Sequence, residues 1–404
     1  MRILSVHNNY KLRSGEEESR DLETTILREK GHQVDIYEES NIHLNPEAVP
    51  LNMVIRTVWS QSSYKQVRQR LQKKKYDILH VHNFFPQISP SVYYAARAEN
   101  VPIVQTLQNF RLLCPSGFLF RDGKVCEQCL GKAVAWNSLL HGCYRDNRLA
   151  TFPVAAMLAF HRAIGTWQRK VDRYIALTEY DRQKFMKGGI PGEKIHVKPN
   201  FVYPDPLPGE GSGDYAIFVG RLSPEKGVDT LLEAWQSLGK TIPLKVVGDG
   251  PLASDVAAAV ARLPQVEWLG FKPMQEIYPL IGEAKFLLFP SKWNETFSRV
   301  AAEALAKGTP VIAAAGVSEM AGLVAPGKTG LHFAPGDAED LVRKVRWMVN
   351  HPDSLSKMRK QARKAYLDQY AGQINYELLM EVYGAAQRKT VESAPERKRI
   401  SRPV

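Results

Sequence analysis

Apolar runs of three to five residues alternate with longer amphipathic stretches through the first half of the chain. These runs predict β-strands at 2–6, 33–37, 78–81, 103–106 and 174–176. Between the first two runs, helical spacing of apolar positions predicts a helix over about 17–29, which Gly31 would end. Strands that alternate with amphipathic helices are typical of α/β proteins with parallel sheets.

The alternation resumes after a stretch rich in proline and glycine at 199–213, which predicts a linker. The second set of strands is expected at 215–219, 244–247, 266–269, 286–289 and 311–314, and its helices at 228–238, 252–263 and 274–284. A last helical stretch, 355–388, is long enough to cross back over the first domain. Two doubly wound domains that face each other place a ligand cleft at the carboxyl ends of their strands.

The domain boundaries follow from these patterns. We expect an N-terminal Rossmann-like domain at 1–200 with an insertion at about 110–146, and a C-terminal Rossmann-like domain at 201–370. A helix at 371–390 would return to the first domain, and a basic flexible tail would follow at 391–404.

Composition is ordinary for a globular protein except in its charge. The 404 residues are 44% hydrophobic and 24% charged, and the net charge is +12. Such an excess indicates attraction to nucleic acid, to a membrane surface or to phosphorylated substrates. A nucleic-acid-binding protein is therefore one rival function, but the chain lacks a concentrated stripe of basic and aromatic residues, and we expect no nucleic acid partner.

The apolar segments bear on the cellular location of the protein. No stretch of about 18 apolar residues is present, and the first residues have the pattern of a strand rather than of a signal peptide. We expect a cytoplasmic protein. The basic surface and the apolar run 152–160 are candidates for a peripheral contact with the inner face of the membrane.

Two glutamates eight residues apart, Glu295 and Glu303, follow the predicted strand at 286–290. An alanine-rich helix is expected to begin near Phe297, and its N-terminus would favour a phosphate. If both carboxylates lay on this helix they would be about 12 Å apart along its axis. That distance is near the span between the two sugars of a nucleotide-sugar, although a surface pair beside an ordinary strand–helix junction remains the alternative.

Two basic residues follow the first predicted strand of the second domain. Arg221 and Lys226 follow Gly220, which leaves room for a close backbone approach. Paired cations at a strand end suit a diphosphate, because they neutralise charge that develops on a leaving group. The alternative is a solvated loop in which Glu225 pairs with Lys226.

These segments resemble the motifs of family 4 retaining glycosyltransferases, which have the GT-B fold. The glutamate pair matches the family's E-x7-E signature, and the loop at 220–227 is similar to its G-R-x-x-x-x-K-G element. Residues 307–313 and 316–319 resemble the continuation into the next strand and loop. The resemblance covers nearly the whole chain, and with its cysteine-rich insertion the chain is similar to enzymes of surface polysaccharide and glycolipid assembly.

The resemblance implies roles for residues around the donor. Glu303 would hold the ribose hydroxyls, since a carboxylate accepts two hydrogen bonds from a vicinal diol. Glu295 would bind the transferred sugar, and the N–H groups of Thr296 and Phe297 its phosphate. The resemblance also implies donor-binding positions that contribute backbone or cationic groups: Arg221, Lys226, Gly248, Gly270 and Phe271.

The first domain would supply three further positions. Gly15 remains in a loop where the family has paired glycines, and Ser14 replaces the first of them. His82 ends a predicted strand and would point toward the cleft if His80 packs inward, although a strand-end histidine is more often structural. Gln108 stands where related enzymes carry a histidine; it can donate a hydrogen bond but cannot carry a proton.

All four cysteines lie within the insertion, in the order C-x11-C-x2-C-x13-C: Cys114, Cys126, Cys129 and Cys143. In a cytoplasmic protein this spacing favours tetrahedral structural zinc. Two disulfides, reduced thiols and an iron–sulfur cluster are the alternatives. Basic and aromatic residues beside the cysteines could seat a lipid-linked acceptor.

The resemblance implies a retaining, metal-independent transferase. It would move a hexose-type sugar from a UDP- or GDP-sugar to a hydroxyl of a polysaccharide or lipid-linked glycan, with no catalytic cofactor. Glu295, His82, Gln108, Arg221 and Lys226 are the candidate catalytic residues. A catalytically weak or non-enzymatic homologue, suggested by Gln108, and a nucleotide-sugar isomerase of the same fold are the alternatives.

Overall fold

The computed structural model describes residues 1–11, 14–43, 51–293, 295–316 and 320–392. Predictions made at 12–13, 294, 317–319 and 393–404 therefore lie outside the described residues. Within the described part, none of the helices combines the length and the apolar character needed to cross a membrane.

The described residues of the first domain form eight strands: β1 (Arg2–Asn9), β2 (Gln33–Ser40), β3 (Ile78–Asn83), β4 (Ile103–Leu107), β5 (Phe120–Arg121), β6 (Lys124–Val125), β7 (Arg173–Ala176) and β8 (Ile195–Val197). Six of them form a parallel sheet in the order β2-β1-β3-β4-β7-β8, while β5 and β6 form a separate antiparallel hairpin. Chain order reverses beside β1, which creates a topological switch point at that strand's carboxyl end.

The helices of the first domain connect or flank these strands: α1 (Gly15–Glu29), α2 (Leu51–Val58), α3 (Gln61–Lys73), α4 (Ser91–Ala98), α5 (Trp136–His141), α6 (Arg148–Ala163), α7 (Thr166–Arg169) and α8 (Glu179–Lys187). Strands β3 and β4 are buried along their whole length. Continuous burial is expected when helices cover both faces of a parallel sheet.

The second domain repeats this architecture with β9 (Ala216–Val219), β10 (Leu244–Val247), β11 (Val266–Trp268), β12 (Phe286–Phe289), β13 (Val311–Ala314) and β14 (Gly330–Phe333). Its parallel sheet has the order β11-β10-β9-β12-β13-β14. The switch point therefore lies between β9 and β12, whose loops contain the cationic and glutamate motifs.

In the part of the second domain and the C-terminal return that the structure describes, the helices are α9 (Val228–Leu238), α10 (Ala253–Val260), α11 (Met274–Glu283), α12 (Arg299–Ala306), α13 (Met320–Leu323), α14 (Ala338–Asn350), α15 (Pro352–Gln369) and α16 (Gly372–Glu392). Together the two parallel sheets and their helices confirm the predicted fold class. Strands β8 and β14 and the β5–β6 hairpin were not predicted from the apolar pattern.

The predicted helical stretch at 355–388 is corrected to two helices, α15 and α16. The helix breaks at Tyr370 and Ala371, where the Val202 N–H donates to the Tyr370 carbonyl at 3.1 Å and Val202 pairs with Ala371. This break lets α16 turn onto the first domain, where Leu379 and Tyr383 join its core beside Ile3. The last helix therefore ties the C-terminal end of the chain to the N-terminal sheet.

Candidate active site in the interdomain cleft

A cavity of about 390 Å³ lies between the two domains at the carboxyl ends of their strands. The first domain lines it with Gly15, Glu16, Glu18, Gln108 and Asn200. The second domain supplies a larger share, including Val219, Gly220, Lys226, Trp293, Glu295, Thr296, Phe297, Arg299 and Glu303. The fold thus brings seven of the twelve predicted donor-binding and catalytic residues to one cavity.

A second cavity of about 850 Å³ adjoins the first within the second domain. Val219 and Gly220 line both cavities, so the two spaces meet at the end of β9. Arg221 lines only the second cavity, whereas Lys226 lines only the first. The predicted cation pair is therefore divided between two adjoining spaces, with Gly220 between them.

Close backbone packing forms the floor of the second cavity. A Cβ atom at Gly248 would lie 1.9 Å from the Gly220 carbonyl oxygen, and Gly248 has a φ of +139°. The Gly248 N–H also donates to the Gly270 carbonyl at 2.8 Å. Only glycine fits at Gly248, because any side chain there would separate the ends of β9 and β10.

Phe271 lies beside this floor and is 77% exposed. It lines the second cavity with Gly248, while Gly270 holds the turn before it with a φ of +67°. An exposed aromatic ring at the rim of a cavity presents a face on which a flat ligand group could stack.

Three donors converge on one oxygen of Glu295. Its Oε1 accepts from the Ser291 hydroxyl at 2.8 Å and from the Trp293 indole at 3.1 Å, and it also pairs with the Lys226 ammonium. Glu225, the alternative partner of Lys226, instead accepts from the Ser223 hydroxyl at 2.6 Å. The second-domain wall of the cavity therefore contains a fixed carboxylate–ammonium pair.

Helix α12 begins at Arg299, two residues later than expected, because the Ser298 hydroxyl caps it by accepting from the Ala301 N–H at 3.4 Å. Glu295 consequently precedes the helix, so the two glutamates do not share one helix and the axial estimate of their separation does not apply. Thr296 and Phe297 lie between them, in the non-helical segment that precedes the helix, with a bend at Thr296.

Glu303 lies on α12, is 4% exposed and lines the interdomain cavity. Burial raises the pKa of its carboxyl to about 7, against a smaller opposing effect of Arg299. The Arg299 guanidinium lies 3.4 Å from Glu303 and 3.0 Å from Glu18 of the first domain. Arg299 thus connects both walls of the cleft, a role that its motif position did not indicate.

The comparisons with known proteins agree with this arrangement. Residues 206–365 match the family model for glycosyl transferases group 1, and residues 25–205 match the model for glycosyltransferase family 4. Both matches are to glycosyltransferase families, and they agree with the GT-B fold. Among curated relatives, the 2-deoxystreptamine glucosyltransferase of Streptomyces kanamyceticus is 34% identical over 195 residues, which are 47% of this chain and 48% of the relative.

Solved structures show the same fold at low identity. Anabaena Alr3699/HepE in complex with UDP has a TM-score of 0.68 at 17% identity, covering 95% of this chain and 100% of that one. Sucrose-phosphate synthase from Thermosynechococcus elongatus also reaches 0.68, at 16% identity, covering 98% and 100%. The chain spans less than half the length of the first curated relatives that it matches.

Within this GT-B fold, the first-domain wall is built on the N-terminus of α1. Gly15 begins the helix, and a Cβ there would lie 3.3 Å from the Arg299 side chain. The next residue, Glu16, is a cavity-lining carboxylate that the motifs did not reveal. Burial raises the pKa of Glu16, while hydrogen bonds from Asn109 at 2.7 Å and Tyr10 at 3.1 Å oppose the shift.

His82 does not line the interdomain cavity, contrary to the expectation that it points into the cleft. It is 5% exposed, its ring centroid lies 4.0 Å from that of His80 with the rings tilted by 33°, and its Nε2 lies 3.6 Å from Glu23. It borders a smaller cavity of about 20 Å³ behind Gln108. Burial holds the pKa of His82 well below its usual range, with His80 adding to the effect, so it is a neutral imidazole.

Glu23, His80 and His82 are the one group among the described residues whose three potential ligand atoms come within 4.8 Å of one another. The Lys198 ammonium lies 3.0 Å from Glu23, and the Tyr383 hydroxyl lies 2.8 Å from His80. A cation would have to compete with that buried ammonium, so the group is best explained as an internal ion-pair network.

Gln108 occupies the expected place in the wall between the domains. Its side-chain oxygen accepts from the Asn200 amide at 3.3 Å, and its backbone carbonyl accepts from the Thr296 hydroxyl at 2.8 Å. The second bond joins the two domains directly. Gln108 therefore combines a position facing the cavity with a hydrogen bond across the cleft.

The four cysteines of the insertion surround one cavity of about 10 Å³, with no disulfide between them. Burial raises the pKa of Cys143 to about 11, and neighbouring Cys114 and Cys129 add to the shift. Within the described chain, no three of the sulfur atoms lie within 4.8 Å of one another. The fold places the four thiols around one cavity, with their sulfur atoms farther apart than in a metal site.

Proposed function

We propose that this chain is a retaining glycosyltransferase that moves a hexose-type sugar from a UDP- or GDP-sugar to a hydroxyl of a polysaccharide or lipid-linked glycan. The observation that carries the proposal is the pair of adjoining cavities at the β9 end, with Arg221 on one side of Gly220 and Lys226 on the other. A diphosphate over Gly220 would leave the transferred sugar and the ribose in the interdomain cavity and extend the base into the larger one.

The reaction would break the bond between the anomeric carbon and the phosphate oxygen, and the acceptor oxygen would bond to that carbon on the face from which the phosphate leaves. The proton of the acceptor hydroxyl would pass to an oxygen of the departing phosphate. Negative charge then develops on the nucleoside diphosphate. Arg221 and Lys226 would stabilise this charge, together with the N–H groups of Thr296 and Phe297. Because these groups supply positive potential, we propose that no divalent metal is required for catalysis.

Glu295 and Glu303 would bind different parts of the donor. Glu303 lines the cleft from within the second domain, where a diol of the ribose could donate to its carboxylate. Glu295 has one oxygen held by three partners and lies in the interdomain cavity, where the transferred sugar would bind. His82, which borders the small cavity behind Gln108, would not contact the substrate.

A screen of nucleotide-sugars by thermal stabilisation would test donor binding, since a ligand at 100 times its Kd stabilises the folded state by about 2.7 kcal/mol. We expect a UDP- or GDP-sugar to raise Tm and the corresponding free nucleotide to compete. The anomeric configuration of the product, read by NMR, then decides retention. Activity that disappears with EDTA and returns with Mg²⁺ or Mn²⁺ would contradict a metal-independent step.

The alternative of a catalytically weak homologue rests on Gln108, because glutamine cannot carry a proton. Gln108→His tests it: a rise in turnover by orders of magnitude would favour a weakened enzyme. An unchanged or lower turnover would indicate that the Gln108 amide suffices.

We also propose that the four cysteines bind structural zinc. Zn–S bonds of about 2.3 Å in a tetrahedron place the sulfurs about 3.8 Å apart, so the metal would draw the thiols together and deprotonate them. The observation in favour is that Cys114, Cys126, Cys129 and Cys143 all face one small cavity. Elemental analysis of reduced protein should find one zinc per chain, and a ratio near zero would contradict the proposal.

A peripheral membrane contact is proposed for the first domain. Helices α5 and α6 pack against each other and leave large apolar side chains exposed at Trp136, Leu140, Leu149, Phe152 and Phe160. Exposed Lys132, Arg145 and Arg148 lie in the same region of the chain and suit anionic headgroups.

Cosedimentation with phosphatidylglycerol vesicles tests this surface. We expect binding that Leu149→Ser and Phe152→Ser weaken, whereas Leu367→Ser, at a similarly exposed residue of the second domain, has no effect. Absence of binding to anionic vesicles at low salt would discard the membrane contact.

A further inference from the structure

An aromatic contact crosses the cleft outside the cavity itself. Phe118 belongs to the cysteine insertion of the first domain, and its ring centroid lies 4.9 Å from that of Trp293 in the second domain, at an interplanar angle of 72°. This is an edge-to-face arrangement, the geometry that aromatic pairs prefer. Phe118 does not line the interdomain cavity, whereas Trp293 does.

Trp293 connects this contact to the donor-binding carboxylate. Its indole N–H donates to Glu295 Oε1 at 3.1 Å, the oxygen that also pairs with Lys226. The Lys226 ammonium lies 5.9 Å from the Trp293 ring centroid. The indole therefore contacts both members of the ion pair, and any rotation of its ring would remove one of the three donors from Glu295.

The insertion holds Phe118 in place from the other side. Leu119, the next residue, is 1% exposed in the first-domain core, and its carbonyl accepts from the Cys126 N–H at 2.8 Å. The Gly117 N–H donates to the Cys114 carbonyl at 2.9 Å. Phe118 is thus fixed between two of the cysteines while its ring, 48% exposed, projects toward the second domain.

We propose that Phe118 is a positioning residue for Glu295, acting through Trp293, so that the cysteine insertion completes the donor site from the opposite domain. The consequence for catalysis rests on the proposed function, because it assumes that Glu295 binds the donor sugar. The insertion would then act as part of the donor site in addition to bracing the first domain.

Hydrogen exchange tests the positioning without any assumption about activity. The Lys292 N–H donates to the Glu225 carbonyl at 2.8 Å and the Glu295 N–H to the Trp293 carbonyl at 3.0 Å. In Phe118→Ala we expect these two amides to exchange several-fold faster, and in Phe118→Tyr to remain near wild type. Phe152→Ala is the matched control, since this aromatic of the same domain is 55% exposed, close to the 48% of Phe118, and is not in the ring contact described for Trp293. Unchanged exchange in Phe118→Ala would overturn the inference.

Donor kinetics give the second readout, with UDP-glucose and GDP-mannose as probes. An edge-to-face pair contributes about 0.5–1.5 kcal/mol, so Phe118→Ala should lower kcat/KM by about 2- to 12-fold. Trp293→Phe, which removes the donor to Glu295 and keeps a ring, should lower kcat more than it raises KM. If wild type binds neither probe, nor any other nucleotide-sugar, the proposed function fails, while the exchange result still decides whether Phe118 positions the Glu295 segment.

Discussion

Two buried glutamates, Glu23 on α1 and Glu303 on α12, show how similar residues acquire different uses in the two domains. Glu23 contacts Lys198 at 3.0 Å and His80 at 3.1 Å, beneath the returning helix α16. Glu303 is equally buried but has Arg299 at 3.4 Å as its contact, and it faces the cleft. One carboxylate is satisfied by the protein, whereas the other faces a space that a ligand can fill.

Their pKa values follow this difference. Burial acts to raise the pKa of Glu23, but Lys198 and His80 outweigh it and hold the pKa well below its usual range. Burial dominates at Glu303 and raises the pKa to about 7. A carboxylate whose partners compensate its burial is part of the fold, and one that is undercompensated is a candidate for ligand binding.

The largest expected effect is on the Glu23 network. Lys198→Met should leave a buried carboxylate without its ammonium and lower the free energy of unfolding by about 3–5 kcal/mol. Urea denaturation of the purified variant measures the loss. Glu303→Gln is the control, with little change expected; equal losses in both variants would remove the distinction between the two glutamates.

Unlike Lys198→Met, the Lys226→Met substitution should lower turnover and leave stability nearly unchanged. Loss of a cation that stabilises developing charge should lower kcat by about 100- to 1,000-fold. Because Ser291 and Trp293 still donate to Glu295, the urea midpoint should stay close to that of wild type. A large stability loss with normal turnover would mean that the Lys226–Glu295 pair is structural, like that of Glu23.

Glu303→Gln should weaken binding of the donor. Replacing an ionised acceptor by an amide loses about 1.5–3 kcal/mol, which corresponds to at least a tenfold rise in the Kd for a nucleotide-sugar such as UDP-glucose. Calorimetric titration measures this change in Kd. Glu23, in contrast, makes no comparable contact with the ligand. An unchanged Kd would exclude Glu303 from the donor site.

The pH dependence should distinguish the two glutamates most finely. Without ligand, folded Glu303 keeps its proton to about pH 7, above its ordinary pKa of 4.5, so its contribution to stability is full below about 4.5 and is lost as pH rises through 7. Ribose hydroxyls would donate to the ionised form, so affinity should rise between pH 5.5 and 8.

UDP-glucose is the appropriate ligand for this measurement, because its diphosphate has no proton to lose near pH 7. The rise in affinity should be absent in Glu303→Gln. A fall in affinity with pH in the wild type would show that the donor prefers the neutral carboxyl.

Much of the fold followed from local patterns. Helix α9 and strands β10, β12 and β13 have the predicted bounds, because an apolar run or an amphipathic period depends only on neighbouring residues. The cause of the division at Tyr370 was not predicted, since it is the pairing of Ala371 with Val202, far away in the chain.

The candidate site was predicted unevenly for the same reason. Glu303, Gly248 and Gln108 belong to motifs, and all three lie at or beside the cleft. His82 was misplaced because the sequence could not show that it packs against Glu23 and His80 inside the first domain. Arg299 and Glu16 were missed, because their partners are distant in the chain: Arg299 contacts Glu18 of the other domain, and Glu16 accepts from Asn109.

By itself the sequence determined the alternation of strands and helices, the linker and the chemical groups at each strand end. The tertiary structure decided which of those groups meet. Lys226 pairs with Glu295, 69 residues away, rather than with adjacent Glu225, because β9 and β12 are neighbours in the sheet. Strand order at a switch point depends on how whole elements pack, and no local pattern contains that information.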